Sequence, residues 1–305
     1  MSVAAVIVTH NRLAQLKECV DAVQNQMRRV DEIIVVNNES SDGTQEWLSC
    51  TPLNLTVIHQ GNLGSGGGQN AGMRQAYGNG HDFVWCMDDD GRPSPDCLKL
   101  LFDHIDGLPA VYQPIVLSDA NILSFYVGLR VNDRIVPFRK LDEIITSFPE
   151  QKLIVSDGNF FNGTLIHREI LDLVGYPISE LFIRGDEVEY AYRILNNKIP
   201  IYVVPASRYY HPKDQISTLW NTVIPHKPKM YFYVRNQSVI LIRKTSWWRG
   251  YIKYCSFYAV LVLRLIDARD KFLSRFIIIT KSFLNGLILP IVLRKSMINR
   301  RAGQK

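Results

Sequence analysis

Several things are missing from this 305-residue chain, and each absence removes a class of protein. Its five cysteines (Cys19, Cys50, Cys86, Cys97, Cys255) are scattered, odd in number and in no CxxC pair. That argues for a reducing compartment and against a zinc site or disulfide framework. No basic region and cleavage site follow Met1, so no signal peptide is expected. No apolar run reaches about 20 uninterrupted residues. Residues 254–266 and 272–292 are broken by Arg264, Arg275 and Lys281, so a membrane span is not expected. Acidic residues are nearly absent from the end of the chain. Residues 246–305 hold twelve Lys/Arg and two Asp, a charge of +10 in a chain of net +6, which leaves −4 on residues 1–245.

What is present describes a folded protein: 47% hydrophobic and 21% charged residues, and enough length for one large or two modest cores. The division expected is a body over residues 1–245 and a basic, amphipathic, helical region over 246–305. Such a tail suits nucleic acid or an anionic membrane surface, and its apolar and aromatic content favours the membrane. No nucleic-acid partner is expected. Helices lying on the membrane, helices pairing with another copy of the chain (a homo-oligomer), and a packed C-terminal cap are the forms open to it.

Residues 3–9, 32–36, 54–58 and 83–87 are apolar runs of the buried-strand type. Strand, loop and helical pattern recur at roughly 25–30 residues, which predicts a parallel α/β sheet with helices on both faces. Each run ends in a polar cluster, where open α/β sheets bind ligands. The clusters are Thr9-His10-Asn11-Arg12, Asn37-Asn38, a run from Asn62 through Gly64, Gly67 and Asn70 to Gly72, and Asp88-Asp89-Asp90. Together they suit a nucleotide. Thr9 and Asn11 are placed to reach a base or ribose, and the Asn37 and Asn38 amides to pair with a pyrimidine edge. The glycines would let backbone N–H groups approach a diphosphate. They do not fit the dinucleotide G-x-G-x-x-G rule, since no acidic ribose ligand follows.

The three aspartates carry the sharpest signal. Adjacent carboxylates repel, and at a buried strand end that cost calls for a cation. Side-chain alternation predicts Asp88 and Asp90 on one side and Asp89 on the other. Two hard oxygen ligands with open positions suit Mg2+ or Mn2+ beside a nucleotide diphosphate.

Residues 118–150 yield only short strand-like pieces with no assignable role. Later comes Phe160-Phe161-Asn162-Gly163, then Leu181-Phe182-Ile183-Arg184-Gly185-Asp186-Glu187-Val188-Glu189, whose acids cluster where a loop enters a helix. Acids in a first helical turn also serve as dipole partners alone. A strand at 201–204 leads to Tyr209-Tyr210-His211-Pro212. The polar stretch 213–229 reads as a loop that orders over substrate.

Taken together, these motifs resemble the inverting glycosyltransferases of the GT-A fold called family 2. The broad signs are Thr9-His10-Asn11-Arg12, the Asn-x-Ser-x-Asp-Gly-Thr segment 38–44, the Asn62–Gly72 run and the three aspartates. More narrowly, Phe160-Phe161-Asn162-Gly163, residues 181–189, His211-Pro212 and Tyr233-Val234-Arg235-Asn236 resemble bacterial galactofuranosyltransferases, including the type that starts the galactan of mycobacterial walls. The likeness covers residues 3–245. It departs at Asn37, where the family usually has Asp.

The resemblance implies a Rossmann-like mixed sheet and a divalent cation, Mn2+ or Mg2+, on Asp88, Asp90 and His211. It implies a UDP-sugar donor, with Thr9, Asn11, Arg12, Asn37, Asn38, Asn62, Gly64, Gly67 and Asn70 on the nucleotide. Glu187, with Asp186 as second choice, would be the base that deprotonates the acceptor. Asp89, Trp85, Arg184, Asn162 and Gly163 would shape the sugar and acceptor pocket. The acceptor implied is a glycan on a polyprenyl diphosphate, met at the inner face of the cytoplasmic membrane during cell-wall or O-antigen synthesis. A dTDP-rhamnose-dependent rhamnosyltransferase shares the broad motifs. A sugar-nucleotide-synthesising nucleotidyltransferase needs a Gly-rich loop with Thr-Arg after the first strand, where His10-Asn11-Arg12 stands instead. A non-catalytic scaffold would not need Asp88, Asp90, Glu187 and His211 together.

Overall fold

The computed structural model describes residues 1–212, 227–267 and 272–302. Among these, residues 1–180 with 193–212 form one compact unit, and residues 181–192 with 227–302 form a second. The 245/246 division expected from charge falls instead within the second unit.

The first unit begins with alternating strands and helices: β1 (Val3–Thr9), α1 (Leu13–Gln24), β2 (Glu32–Asn38), α2 (Thr44–Cys50), β3 (Thr56–Gln60), α3 (Gly64–Gly78) and β4 (Phe83–Asp88). It continues through β5 (Arg92–Pro93), α4 (Cys97–Phe102), β6 (Val111–Leu117), β7 (Val127–Val131), β8 (Arg134–Phe138), α5 (Leu141–Ser147), β9 (Ile154–Val155), β10 (Asn162–His167) and α6 (Arg168–Val174). Helix α7 (Asp186–Asn196) precedes β11 (Ile201–Tyr210). The strand order is β3-β2-β1-β4-β10-β6-β11-β5, with β9 also on β11. Strands β3, β2, β1 and β4 are mutually parallel, and β10 is antiparallel to both of its neighbours. The sheet is therefore mixed. Parallel pairing brings the ends of β1, β2, β3 and β4 to one edge, which gathers Thr9, Asn38 and Asp88.

Strand β1 is apolar from Val3 to Val8 because both of its faces are covered. Val3, Ala5 and Ile7 pack with Leu16, Cys19, Trp85 and Leu98 in one core cluster. Val6 and Val8 meet α3 on the other face. There the glycines act as spacers: a Cβ on Gly68 would lie 2.3 Å from Val8 Cγ1, and one on Gly72 2.3 Å from Val6 Cγ1. Four residues apart, both lie on one helix face. The glycine run is thus a close-packed helix and not a loop. Residues 118–150, unassigned from sequence, supply the β7–β8 hairpin and α5. Leu129, Phe138 and Ile144 there build a second cluster with Ile115, Leu117 and Val203.

The second unit contains α8 (Lys227–Lys244), α9 (Trp247–Asp267) and α10 (Phe272–Ala302). Met230, Val234, Leu261, Leu265 and Ile279 form its core cluster. Within α10, Phe272–Arg294 is a 23-residue stretch long and apolar enough to cross a membrane. Arg275 and Lys281 interrupt it and Arg294 ends it, yet on average it stays strongly apolar. A packed helix meets the same criterion. The loop expected over 213–229 lies, up to residue 226, outside the described residues.

Candidate active site

The acid turn forms where β4 ends. Asp88 is its last strand residue, opposite Val8 of β1. The Asp89 N–H donates to the Val8 carbonyl (3.2 Å), and the Gly91 N–H closes the turn on the Asp88 carbonyl (3.4 Å). A Cβ at Gly91 would lie 1.9 Å from the Tyr209 hydroxyl, so only glycine fits there. Because the strand stops at Asp88, alternation stops too. Asp89 and Asp90 do not point to opposite sides: Arg12 Nη1 pairs with both, at 3.1 Å from Asp89 Oδ1 and in direct contact with Asp90 Oδ2. Asp89 is nearly buried and also accepts from the Thr9 hydroxyl at 2.7 Å. The Thr9 and Asp89 side chains are therefore engaged with each other.

His211 completes this group from the end of β11. Its Nε2 lies 3.1 Å from Asp90 Oδ1, a buried oxygen with no aligned hydrogen-bond partner. Its Nδ1 lies 2.6 Å from the Pro212 carbonyl, so that nitrogen carries the proton and donates. In the neutral ring this leaves the Nε2 lone pair turned toward Asp90. The His211 N–H donates to Leu117, its carbonyl accepts from the Ser124 hydroxyl (2.7 Å), and Phe125 packs on the ring. Ser124 and Phe125 carried no signal in the sequence.

Electrostatics separate the three acids. Burial, then Asp90 and Asp89, push Asp88 up to about 7. Burial also raises Asp89, against the opposing pull of Thr9 and Arg12. For Asp90 burial acts upward but is outweighed by His211 and Arg12, which hold it at about 2. Arg12 and His211 rise: burial opposes their charge, and the carboxylates overcome it. Among the described residues no group of three or more His, Cys, Asp or Glu is arranged to hold a metal ion. The structure brings Asp90 and His211 together, with Asp88 adjacent in the turn, but not as a ready cage.

The expected nucleotide residues divide into two kinds. Exposed Asn11, at φ 53°, accepts from the Ser41 N–H at 2.7 Å and turns Arg12 toward the acids. Asn37 and Asn38 are buried. Asn37 Oδ1 accepts from the Ser40 N–H (3.0 Å), and its Nδ2 lies 3.3 Å from His59 Nδ1. Asn38 donates to the Gly64 carbonyl (3.0 Å) and accepts from Gln60 (2.6 Å), tying β2, β3 and α3 together. Asn62 accepts from the Gly64 N–H at 3.0 Å to start α3, and Gly67 packs under Leu63. Asn70 donates to the Pro177 carbonyl at 2.7 Å. Gln69, absent from the expected set, is buried and lies 3.4 Å from Asp88 Oδ1.

Trp85 is a correction. It is fully buried with α1 and α4, on the core side of β4, and does not line an open pocket. Its indole N–H donates to the Gly163 carbonyl at 2.9 Å. Gly163 has φ +73°, and a Cβ there would lie 2.7 Å from the Tyr209 ring. Asn162, nearly buried, donates to Asn159 and to the Phe160 carbonyl.

The remaining acids lie in the second unit. Before α7, Phe182, Arg184 and Gly185 all have positive φ. Buried Asn236 of α8 holds that path, with its Nδ2 at 2.8, 3.1 and 2.9 Å from the carbonyls of Leu181, Ile183 and Arg184. Arg235 adds a bond to the Leu181 carbonyl (3.1 Å), and Phe182 stacks on Phe232. Asp186 is buried, while Glu187 is half-buried and accepts from the Gly185 N–H at 2.8 Å. Glu189 is fully buried and paired with Arg243 at 2.9 Å. Arg235-Asn236 was visible in the sequence as a polar pair in an apolar stretch, but not as the support of this loop.

The model of the family described as "Glycosyl transferase family 2" matches residues 4–169. The galactofuranosyltransferase GlfT1 of Mycolicibacterium smegmatis is 33% identical over 255 residues, spanning 78% of this chain and 82% of that protein. The dTDP-rhamnosyl transferase RfbF of Shigella flexneri is 25% identical over 246 residues, 80% of each chain. The crystal structure of GalNAc-T7 with UDP, GalNAc and Mn2+ is similar in fold, with a TM-score of 0.58 at 15% identity. That match covers 81% of this chain and 51% of that one. The strand order, the acid turn closing β4 and these likenesses agree: the chain has the GT-A fold, belongs to glycosyl transferase family 2 and is a glycosyltransferase.

Proposed function

We propose that the chain is an inverting galactofuranosyltransferase. It moves galactofuranose from UDP-galactofuranose to a glycan acceptor carried on a polyprenyl diphosphate, in bacterial cell-surface polysaccharide synthesis. The carrying observation is the likeness to GlfT1 over most of both chains, beyond the part the family model covers. In this reading residues 1–245 are the catalytic part. The basic helices over 246–305 meet the inner face of the cytoplasmic membrane, where the acceptor lies.

The acid turn fits a divalent cation. Two ligands each about 2.1 Å from one cation at a right angle stand about 3 Å apart, close to the 3.1 Å between His211 Nε2 and Asp90 Oδ1. Fixing the Nδ1 proton on the Pro212 carbonyl is how a ligating imidazole is oriented. Asp88, Asp90 and His211 would hold Mn2+ or Mg2+, and the mixed nitrogen and oxygen set suits Mn2+. Bound there, the cation would neutralise the diphosphate and make UDP a better leaving group. Thr9, Asn11, Arg12 and the edge around Asn37, Asn38 and Asn62 would receive the nucleotide. Buried Asn37 and Asn38 would act by shaping that edge, as would Gly64, Gly67 and Asn70. Asp89, Arg184, Asn162 and Gly163 would border the sugar.

Glu187 would take the proton of the acceptor hydroxyl as it attacks the anomeric carbon from the face opposite UDP, with Asp186 the second choice. A bond from the Gly185 N–H to one carboxylate oxygen orients the group. One displacement inverts the anomeric centre, as it does when water attacks in inverting hydrolases.

A rhamnosyltransferase using dTDP-rhamnose is the second reading, favoured by the RfbF likeness. A donor screen separates the two: UDP-galactofuranose, UDP-galactopyranose, dTDP-rhamnose and UDP-glucose with Mn2+ and a lipid-linked acceptor mimic, scored by nucleotide release. Selective turnover of UDP-galactofuranose is expected. Turnover of dTDP-rhamnose instead would overturn the sugar assignment and keep the family.

A further inference from the structure

Within the acid turn, one guanidinium pairs with two of the three carboxylates. Arg12 pairs with Asp89 and Asp90 together, where the sequence called for a cation. We infer that Arg12 is an internal counter-cation: it occupies the turn until the donor diphosphate arrives with its divalent cation, then releases Asp90, stays on Asp89 and takes the diphosphate as its new partner. This rests on the reading given under Proposed function and adds how that site is kept before loading.

The two carboxylates differ in the way the exchange needs. Asp89 is anchored, with a 4% exposed side chain, a bond from Thr9 and a contact to Arg12. Asp90 is more open at 17%, and His211 Nε2 lies 3.1 Å from its other oxygen. The Arg12 side chain is 42% exposed, so its outer face already reaches solvent. Its backbone is fixed: Asn11 accepts from the Ser41 N–H at 2.7 Å, and the Asn11 N–H donates to the Ser40 hydroxyl at 3.0 Å. The rearrangement is therefore confined to one side chain.

Charge keeps the exchange balanced. With a divalent cation held by Asp90, the Arg12 guanidinium would leave that carboxylate, and the donor diphosphate would offer it oxygens in exchange. Neither step strands a buried carboxylate without a partner. A planar guanidinium suits the role because it can grip a carboxylate and a phosphate at once, as an ammonium cannot.

The test is binding, read by calorimetry and by the effect of bound Mn2+ on water-proton relaxation. Without nucleotide, Arg12→Met should bind Mn2+ about tenfold more tightly than wild type, the equilibrium equivalent of one ion pair that no longer has to be broken. With Mn2+ present, the same variant should bind UDP about tenfold more weakly, having lost a phosphate partner. A purely structural Arg12 would weaken both, which overturns the inference, and no change in Mn2+ affinity also overturns it. Should the variant fail to fold, wild-type protein carrying nitrogen-15 arginine decides. The Arg12 guanidinium resonance should move when Mg2+ and UDP are added together, and an unmoved resonance overturns the inference. Wild-type protein that takes up no divalent cation even with UDP would instead overturn the metal-dependent reading itself.

Discussion

Replacing Asn236 tests how the acidic segment of the second unit is held. Its buried carboxamide carries two protons, and three carbonyls, of Leu181, Ile183 and Arg184, lie within 3.1 Å. Asn236→Ala removes both donors from a site that water does not reach. At about 1–1.5 kcal/mol for each net hydrogen bond, the direct loss is about 2–3 kcal/mol. The same carbonyls hold Phe182 and Arg184 in left-handed conformations, which cost about 1–2 kcal/mol each when unsupported. The variant should therefore release the segment before it unfolds the helices. Backbone amides of residues 181–189 should exchange with solvent faster by two orders of magnitude or more, on the order of 3 kcal/mol of lost protection. Under the proposed reading, turnover should fall while UDP affinity stays within about twofold, since Asp186 and Glu187 follow directly on the released loop. Asn236→Asp should be worse, because it sets a carboxylate against three carbonyls. Unchanged exchange at 181–189 in Asn236→Ala, with midpoint stability within about 0.5 kcal/mol of wild type, would refute the clamp.

Four further outcomes follow from the same physics. Gly68→Ala should cost about 1–3 kcal/mol by denaturant unfolding even after the gain in helix propensity, because the new methyl meets Val8 Cγ1 at 2.3 Å. Gly78→Ala, with nothing within 4 Å, should be neutral or stabilising. Glu32 sits below its ordinary 4.5: burial acts upward, but bonds from Asn79, Thr56 and His81 outweigh it. A depressed folded pKa stabilises above the unfolded value and is lost as pH falls through the folded one. Glu32→Gln should therefore cost about 1 kcal/mol at neutral pH, and its stability curve should converge with wild type below pH 4.5. Under the proposed reading, Glu187→Gln should keep UDP affinity while turnover falls by at least about a hundredfold, measured as nucleotide release; near-normal turnover would move the base to Asp186 or elsewhere.

The first half of the fold was legible because burial on both faces writes itself into composition. Residues 3–8 and 83–87 are apolar at every position, and with Thr9 and Asp88 added they become β1 and β4. Two things were not. The antiparallel β10 lies between β4 and β6, although β5, α4 and four further strands separate it from β4 along the chain. Periodicity reports that a segment is extended and says nothing of its distant partner. The glycine run misled for the opposite reason. Glycine permits a loop, but it also permits a helix to approach a sheet more closely than any side chain allows, and only the positions of Val6 and Val8 tell which.

Residue types at the site were legible, but their partners were not. Three carboxylates at a strand end were read as calling for a divalent cation. The first offset in the structure is Arg12, which sequence reading had assigned to the nucleotide. The two assignments are compatible if the side chain serves in turn. Asn38 shows the contrary case: an amide expected to meet a pyrimidine is buried, joining Gly64 to Gln60. The difference lies in exposure. A half-exposed arginine can exchange an internal anion for an external one at little cost, whereas a buried amide that leaves two partners strands both of them. Variants at the two positions should therefore separate. Asn38→Ala should fail first in stability, by about 1–3 kcal/mol, and Arg12→Met first in binding.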